Sequence, residues 1–248
     1  MHPKAGHLVV FAGDSLTEHL VAVSEAMETQ MADLPEVGSM VRVDRHENRG
    51  WVDLLVARIT IRQPGNELRF LNAGRGGDTS RLLLERLSND VLIHRPDWCL
   101  ISIGLVDVRR SFQPERAAEA VPLEEYRANL RKITRQLQEN DVRVLLLEPT
   151  PHSRPPTGAD KNIELRAVNE ATQTYGAAMA EVASECRVGL VRLFEPVARL
   201  ERRLSAKSSP ATLYADEVHL NRIGDFLYSQ LVFDWLSNDW SLPTQLAT

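Results

Sequence analysis

Cysteine is nearly missing: Cys99 and Cys186 are the only two in 248 residues. Two thiols so far apart make neither a disulfide framework nor a zinc-binding spacing, and they fit a reducing compartment. Basic clusters are missing as well. With 29 Lys and Arg against 34 Asp and Glu, scattered along the chain, the net charge is −5, which offers no footprint for phosphate backbones or anionic lipid. Nucleic acid is therefore not an expected partner. Long apolar runs are the third absence. The first apolar stretch, Leu8-Val9-Val10-Phe11-Ala12, falls far short of the roughly 20 residues of a membrane span. It leads into Gly-Asp-Ser rather than a small-residue cleavage pattern. The expectation is a cytoplasmic protein with no membrane span.

A hydrophobic content of 43% over this length is ample for a sizeable core. No linker composition or internal repeat divides the chain, so one domain is expected over 1–248. Five short segments, residues 8–12, 68–72, 98–103, 142–147 and 188–194, are almost wholly apolar and end in Gly, Pro or polar turns. Strands covered on both faces of a parallel sheet read this way. Helical spacing fills the intervals at 51–62, 80–93, 123–138 and 162–186, with a last helix near 222–236. Alternating strands and helices predict a three-layer α/β fold. A proline-rich stretch, residues 149–158, leaves the fourth strand. In an open parallel sheet such loops surround the ligand crevice, so it is either a wall or lid of a site or a plain surface connection.

Chemistry-bearing residues sit at strand ends. The first strand runs into Gly13-Asp14-Ser15-Leu16-Thr17. Alone, a serine at a strand-to-helix turn is more often an N-cap than a nucleophile, and the second glycine of a Gly-x-Ser-x-Gly elbow is lacking. The second strand leaves through Asn72-Ala73-Gly74-Arg75-Gly76-Gly77-Asp78-Thr79. Glycines there allow close backbone approach, and amides near a helix start can donate to negative charge. A phosphate loop is the competing reading, but neither the P-loop ending nor dinucleotide spacing is present. Near the end, Asp216-Glu217-Val218-His219 puts a carboxylate three residues before an imidazole. That spacing can fix a tautomer for base catalysis, or can be an ordinary salt-linked turn.

Taken together and in this order, the three blocks resemble the SGNH, or GDSL, hydrolase family across nearly the whole chain. The resemblance implies a flavodoxin-like α/β/α sandwich with a five-stranded parallel sheet ordered 2-1-3-4-5. It implies cleavage of a small-molecule acyl ester through an acyl-serine intermediate, with no metal or organic cofactor. Carried over by position, Ser15 is the nucleophile, His219 its general base and Asp216 the orienting acid, with the backbone amides of Ser15 and Gly77 as the oxyanion hole. One block departs from the pattern. After the third strand the family has Gly-x-Asn-Asp, whereas Gly104-Leu105-Val106-Asp107 stands here. Val106 has no side-chain donor for an oxyanion. Asn48, Asn72 and Asn162 are candidate replacements, and an apolar Val106 at the site also fits acyl transfer to an acceptor other than water. An acyltransferase or lactone-processing enzyme and a catalytically silent binding protein are the alternative readings.

The remaining polar residues are assigned with less chemistry. His152, in the proline-rich loop, is the expected substrate contact beside Val106. His19, His46 and His94 are given no catalytic role. Asp14 and Asp78 are expected to hold turn geometry and Asp107 to be a structural acid, and Arg109 and Arg110 to form surface ion pairs rather than to meet an anionic substrate near the third-strand exit.

Overall fold

The computed structural model describes residues 6–18, 50–62, 67–206 and 211–239. His19, His46, Asn48 and Trp240 lie outside the described residues. Five parallel strands form one sheet in the order β2-β1-β3-β4-β5: β1 (Leu8–Gly13), β2 (Arg69–Gly74), β3 (Trp98–Ser102), β4 (Arg143–Leu147) and β5 (Gly189–Val191). The order and the parallel sense are those expected from the sequence. Helices α1 (Ser15–Glu18), α2 (Gly50–Arg62), α3 (Ser80–Asp90), α4 (Leu105–Ser111), α5 (Leu123–Glu139), α6 (Leu165–Cys186), α7 (Phe194–Ser205) and α8 (Arg222–Asp239) flank it. None of the described helices is long and apolar enough to cross a membrane.

The apolar strands divide their side chains between two layers, because successive residues of a strand point to opposite faces. Val9 and Phe11 pack with Trp51, Leu55, Tyr228 and Val232 from α2 and α8. Leu8, Val10 and Ala12 pack with Leu83 of α3, Leu130 of α5 and Met179 of α6. Both faces of β1 are thus covered, which is why its sequence shows no polar alternation.

Two departures from the sequence reading have identifiable causes. The fifth strand was expected to run to Phe194, but it ends at Val191. The buried Glu148 carboxylate accepts the Leu193 and Phe194 amides at 2.8 and 3.0 Å, turning the chain into α7. The amides that a longer strand would have given to its neighbour are spent on capping a helix. Helix α4 was not expected at all. Its buried face includes Asp107 and Arg110, so the apolar periodicity that marks a helix is interrupted by charge.

Phe11 is fully buried between Trp51, at 5.6 Å between ring centroids, and Phe70, at 6.3 Å. Phe11→Ala should therefore cost about 3–5 kcal/mol of unfolding free energy. Urea denaturation would measure it, and a loss under about 1 kcal/mol would contradict the close packing assigned to this layer.

Candidate active site

Three strands end at one level. Gly13 is the register partner of both Gly74 in β2 and Ser102 in β3, so the segments that follow them emerge side by side at the carboxyl edge. The first is Asp14-Ser15. Asp14, not Ser15, caps the short helix: its Oδ1 accepts the Leu16 amide at 3.0 Å, and its carbonyl accepts the amides of Thr17 and Glu18. Ser15 stands at the first helical position with its hydroxyl free for other partners.

Asn72 then ties that turn to β2. Its amide donates to the Thr17 carbonyl at 2.7 Å while its Oδ1 accepts the Gly74 amide at 2.9 Å. Asn72 thus ties the turn to the strand through its carbonyl oxygen and one amide N–H. Gly74 is required by contact, since a Cβ there would lie 2.3 Å from the Glu18 nitrogen. Beyond it, the Gly76 amide donates to Glu18, and Gly77 adopts a φ of +80° that disfavours side chains. No described residue accepts from the Gly77 amide.

His219 arrives from the segment before α8. Tyr214 and Leu220 pair in an antiparallel bridge, and the Ala215 amide donates to the His219 carbonyl at 2.8 Å. Asp216 at the tip folds back, its Oδ1 accepting the amides of Val218 and His219, each at 2.8 Å. Its Oδ2 lies 2.6 Å from His219 Nδ1. His219 Nε2 lies 2.8 Å from Ser15 Oγ. A carboxylate only accepts, so Nδ1 carries the proton in the neutral ring and Nε2 accepts from the Ser15 hydroxyl. Partial burial pushes the Asp216 carboxyl up, but the two amides and the imidazole outweigh it and hold it below the usual range. Asp216 is therefore ionised near neutral pH.

The proline-rich loop after β4 forms a fixed wall against this segment. The Ser153 amide and hydroxyl donate to the carbonyls of Glu217 and Asp216, at 2.9 and 2.7 Å. Tyr214 donates its hydroxyl to the Pro151 carbonyl at 2.7 Å. Glu217, which the sequence reading passed over, is buried and accepts from Arg109 of α4 and from Thr157 of the loop. An acid directly beside Asp216 was the available signal, hidden because nothing in the sequence gives it a partner. Asn162 is exposed beyond this wall, and His94 is exposed at the end of a 3-10 turn.

His152 is buried rather than exposed in this loop. Its backbone is clamped by Asn169, its Nδ1 lies 3.4 Å from Thr172 Oγ1, and its Nε2 has no hydrogen-bond partner among the described residues. Val106 is buried on α4 but belongs to neither described core cluster, unlike its neighbour Leu105.

Three buried acids surround the strand ends. Burial drives Asp14 up to about 7, against the pull of the Leu16 amide and with help from Asp107 and Asp78. Asp107 is driven up to about 6 by burial despite bonds from the Ser80 amide and hydroxyl. Asp78 pairs with Arg86, whose Nη2 also reaches the Gly13 carbonyl at 3.2 Å. Asp14 and Asp107 hold backbone at helix starts, as expected from the sequence, whereas the Asp78 carboxylate holds the Arg86 side chain rather than its own turn. Among the described residues no His, Cys, Asp and Glu group could hold a metal ion.

Residues 11–225 match the GDSL-like lipase/acylhydrolase family. The chain belongs to that family. As a member it is a carboxylic ester hydrolase, and acyl transfer, lactone processing and silent binding are not favoured. An acetylxylan esterase of Geobacillus stearothermophilus is 24% identical, covering 95% of this chain and 96% of its own. A crystal structure of that esterase superposes with a TM-score of 0.75 over 99% of this chain and 100% of its own, at 24% identity. Other structures of it are catalytic mutants in which a serine, a histidine, or an aspartate three residues before that histidine is replaced by alanine. An isoamyl acetate-hydrolyzing esterase 1 homolog of Rattus norvegicus is 27% identical over 73% of this chain and 72% of its own.

Burial, and then the positive charge of Arg109, hold the His152 imidazole down to about 3 against an ordinary 6.5. The unfolded chain takes up this proton near 6.5 and the folded protein does so only near 3, so this contribution to stability is full above 6.5 and lost as pH falls through that window. Wild-type protein should accordingly lose its stability advantage over His152→Gln between about pH 7 and about pH 4. The opposite slope from Asp14 is common to both proteins and cancels in the difference. Urea unfolding at both pH values tests it, and a pH-independent gap would exclude His152 as the titrating group.

Proposed function

We propose that Ser15, His219 and Asp216 hydrolyse small acyl esters, acetyl esters foremost, within a single domain spanning 1–248. The observation that carries this reading is the unbroken hydrogen-bond chain from Ser15 Oγ through His219 to Asp216. A serine hydroxyl is hardly ionised near neutrality and needs such a base. As Oγ bonds to the acyl carbon, its proton passes to Nε2 and the carbonyl π pair moves onto oxygen. Collapse expels the alkoxide, which leaves with the proton held at Nε2. Water then repeats the sequence on the acyl-serine and releases the acid. The amides of Ser15 and Gly77 are the proposed donors to the oxyanion.

Acetyl specificity is supported by the acetate-ester substrates in the names of both relatives. Val106 is read as standing where the family has its oxyanion asparagine, on the alignment of Gly104 and Asp107 with Gly-x-Asn-Asp. Val106 and His152 are proposed as walls of the substrate pocket, the latter because Nε2 of a neutral buried imidazole is unspent. The two free cysteines support a reducing, cytoplasmic setting.

Ser15→Ala should lower turnover of p-nitrophenyl acetate by at least about 10⁴-fold with little change in thermal stability, and a fluorophosphonate should label wild-type protein at Ser15 alone. Well-folded Ser15→Ala protein retaining more than about a tenth of wild-type turnover would reject the assignment.

A further inference from the structure

Arg110 lies one helical turn beyond Val106 on α4, the i, i+4 relation that stacks two side chains on one face. It is only 5% exposed, which is unusual for an arginine. One of its nitrogens is hydrogen-bonded and a second is ion-paired. Nη1 donates to Gln113 Oε1 at 2.7 Å, and Nε lies 3.2 Å from Glu119 Oε2. Gln113 is in turn held through its donation to the Thr157 carbonyl at 2.6 Å. These ties aim the planar guanidinium. The third nitrogen, Nη2, has no acceptor among the described residues and points toward Gly77: a Cβ built on that glycine would meet Nη2 at 3.8 Å and nothing else within 4 Å.

A cation therefore faces the residue whose amide is the proposed oxyanion donor, within side-chain contact distance of its Cα. A neutral ground-state carbonyl gains little from such a charge, whereas an oxygen acquiring a full negative charge gains much in a site shielded from water. We propose that Arg110 Nη2 is the side-chain donor to the oxyanion, taking over the task that Val106 cannot perform. This rests on the reading of Ser15 as nucleophile and of Val106 as the asparagine position. The bonding changes are those of the ester hydrolysis above. Arg110 adds no proton transfer and stays protonated throughout.

A donor used only in the transition state should be visible in kcat and not in KM. With p-nitrophenyl acetate and the full-length protein, Arg110→Met should lower kcat about 10²-fold while KM stays within about threefold. Val106→Asn should recover at least about tenfold in the Arg110→Met background and clearly less in the wild-type background, because two donors serving one oxygen are not additive. The final extent of fluorophosphonate labelling at Ser15 should stay stoichiometric in every variant. Should Arg110→Met not fold, Arg110→Lys keeps the charge with a shorter reach, and Val106→Asn should raise its kcat likewise. Unchanged kcat in folded Arg110→Met would overturn the proposal. So would a loss confined to KM for a carboxylate-bearing ester such as p-nitrophenyl hemisuccinate, which would make Arg110 a ground-state anion site instead. Failure of the underlying hydrolase reading is separate, since wild-type protein would then neither turn over acetate nor be labelled.

Discussion

The register of β1 between β2 and β3 is the constraint on which the site depends. Gly13 opposite both Gly74 and Ser102 makes three strands finish together, so that Ser15, Gly77 and the start of α4 leave the sheet as neighbours. A slip of one residue would exchange the two buried faces of β1, sending Phe11 toward the layer of Leu83 and Leu130 and Val10 toward Trp51. The aromatic layer around Phe11, Trp51 and Tyr228 resists that exchange by shape. Tyr228 adds a polar lock, its hydroxyl donating to Ser102 Oγ at 2.9 Å, directly beneath the edge from which the site is built. Core packing and site geometry are therefore one property here.

Electrostatics at this edge sort three aspartates into two kinds. Asp14 and Asp107 are buried so deeply that their acidity is weakened despite the amides and hydroxyl they accept, and both hold helix starts. Asp216 accepts a comparable number of bonds while remaining about one third exposed on its side chain, and the balance falls the other way. Depth, more than the count of hydrogen bonds, decides which carboxylate stays ionised to orient an imidazole. In the proposed mechanism an ionised partner matters because its full negative charge stabilises the imidazolium formed during proton transfer.

The parts of this arrangement legible in the sequence are those written in one residue type or one period. Apolar runs bounded by turn residues gave the five strands, and the short-range geometry of Asp216-x-x-His219 was readable because three residues suffice to bring carboxylate and imidazole together. What was not legible depended on partners far apart in the chain. Glu148 ends β5 early by capping amides 45 and 46 positions away. Arg110 looked like half of a surface ion pair and does contact Glu119, but the fold buries it. Helix α4 hid for the same reason: Asp107 faces Ser80, 27 positions away, and a helix that buries charge against distant partners loses the periodicity that would reveal it.

The same long-range partners explain why the segment carrying His219 can be short and still rigid. Residues 213–221 have little apolar anchoring of their own beyond Leu213, Tyr214, Val218 and Leu220. Most of the polar ties come from elsewhere: Ser153 and Thr157 from the loop after β4, and Arg109 from α4, the last two converging on Glu217. Prolines in that loop lower the entropy lost on fixing it, so a stretch with few backbone donors can still serve as a buttress. Helix α4 thereby reaches the site from two sides, through Arg109 to the segment that carries the base and through Arg110 to the face of Gly77. A displacement of α4 would move the surroundings of His219 and of Gly77 together. The charged, buried face that concealed this helix in the sequence is thus what couples the two halves of the site.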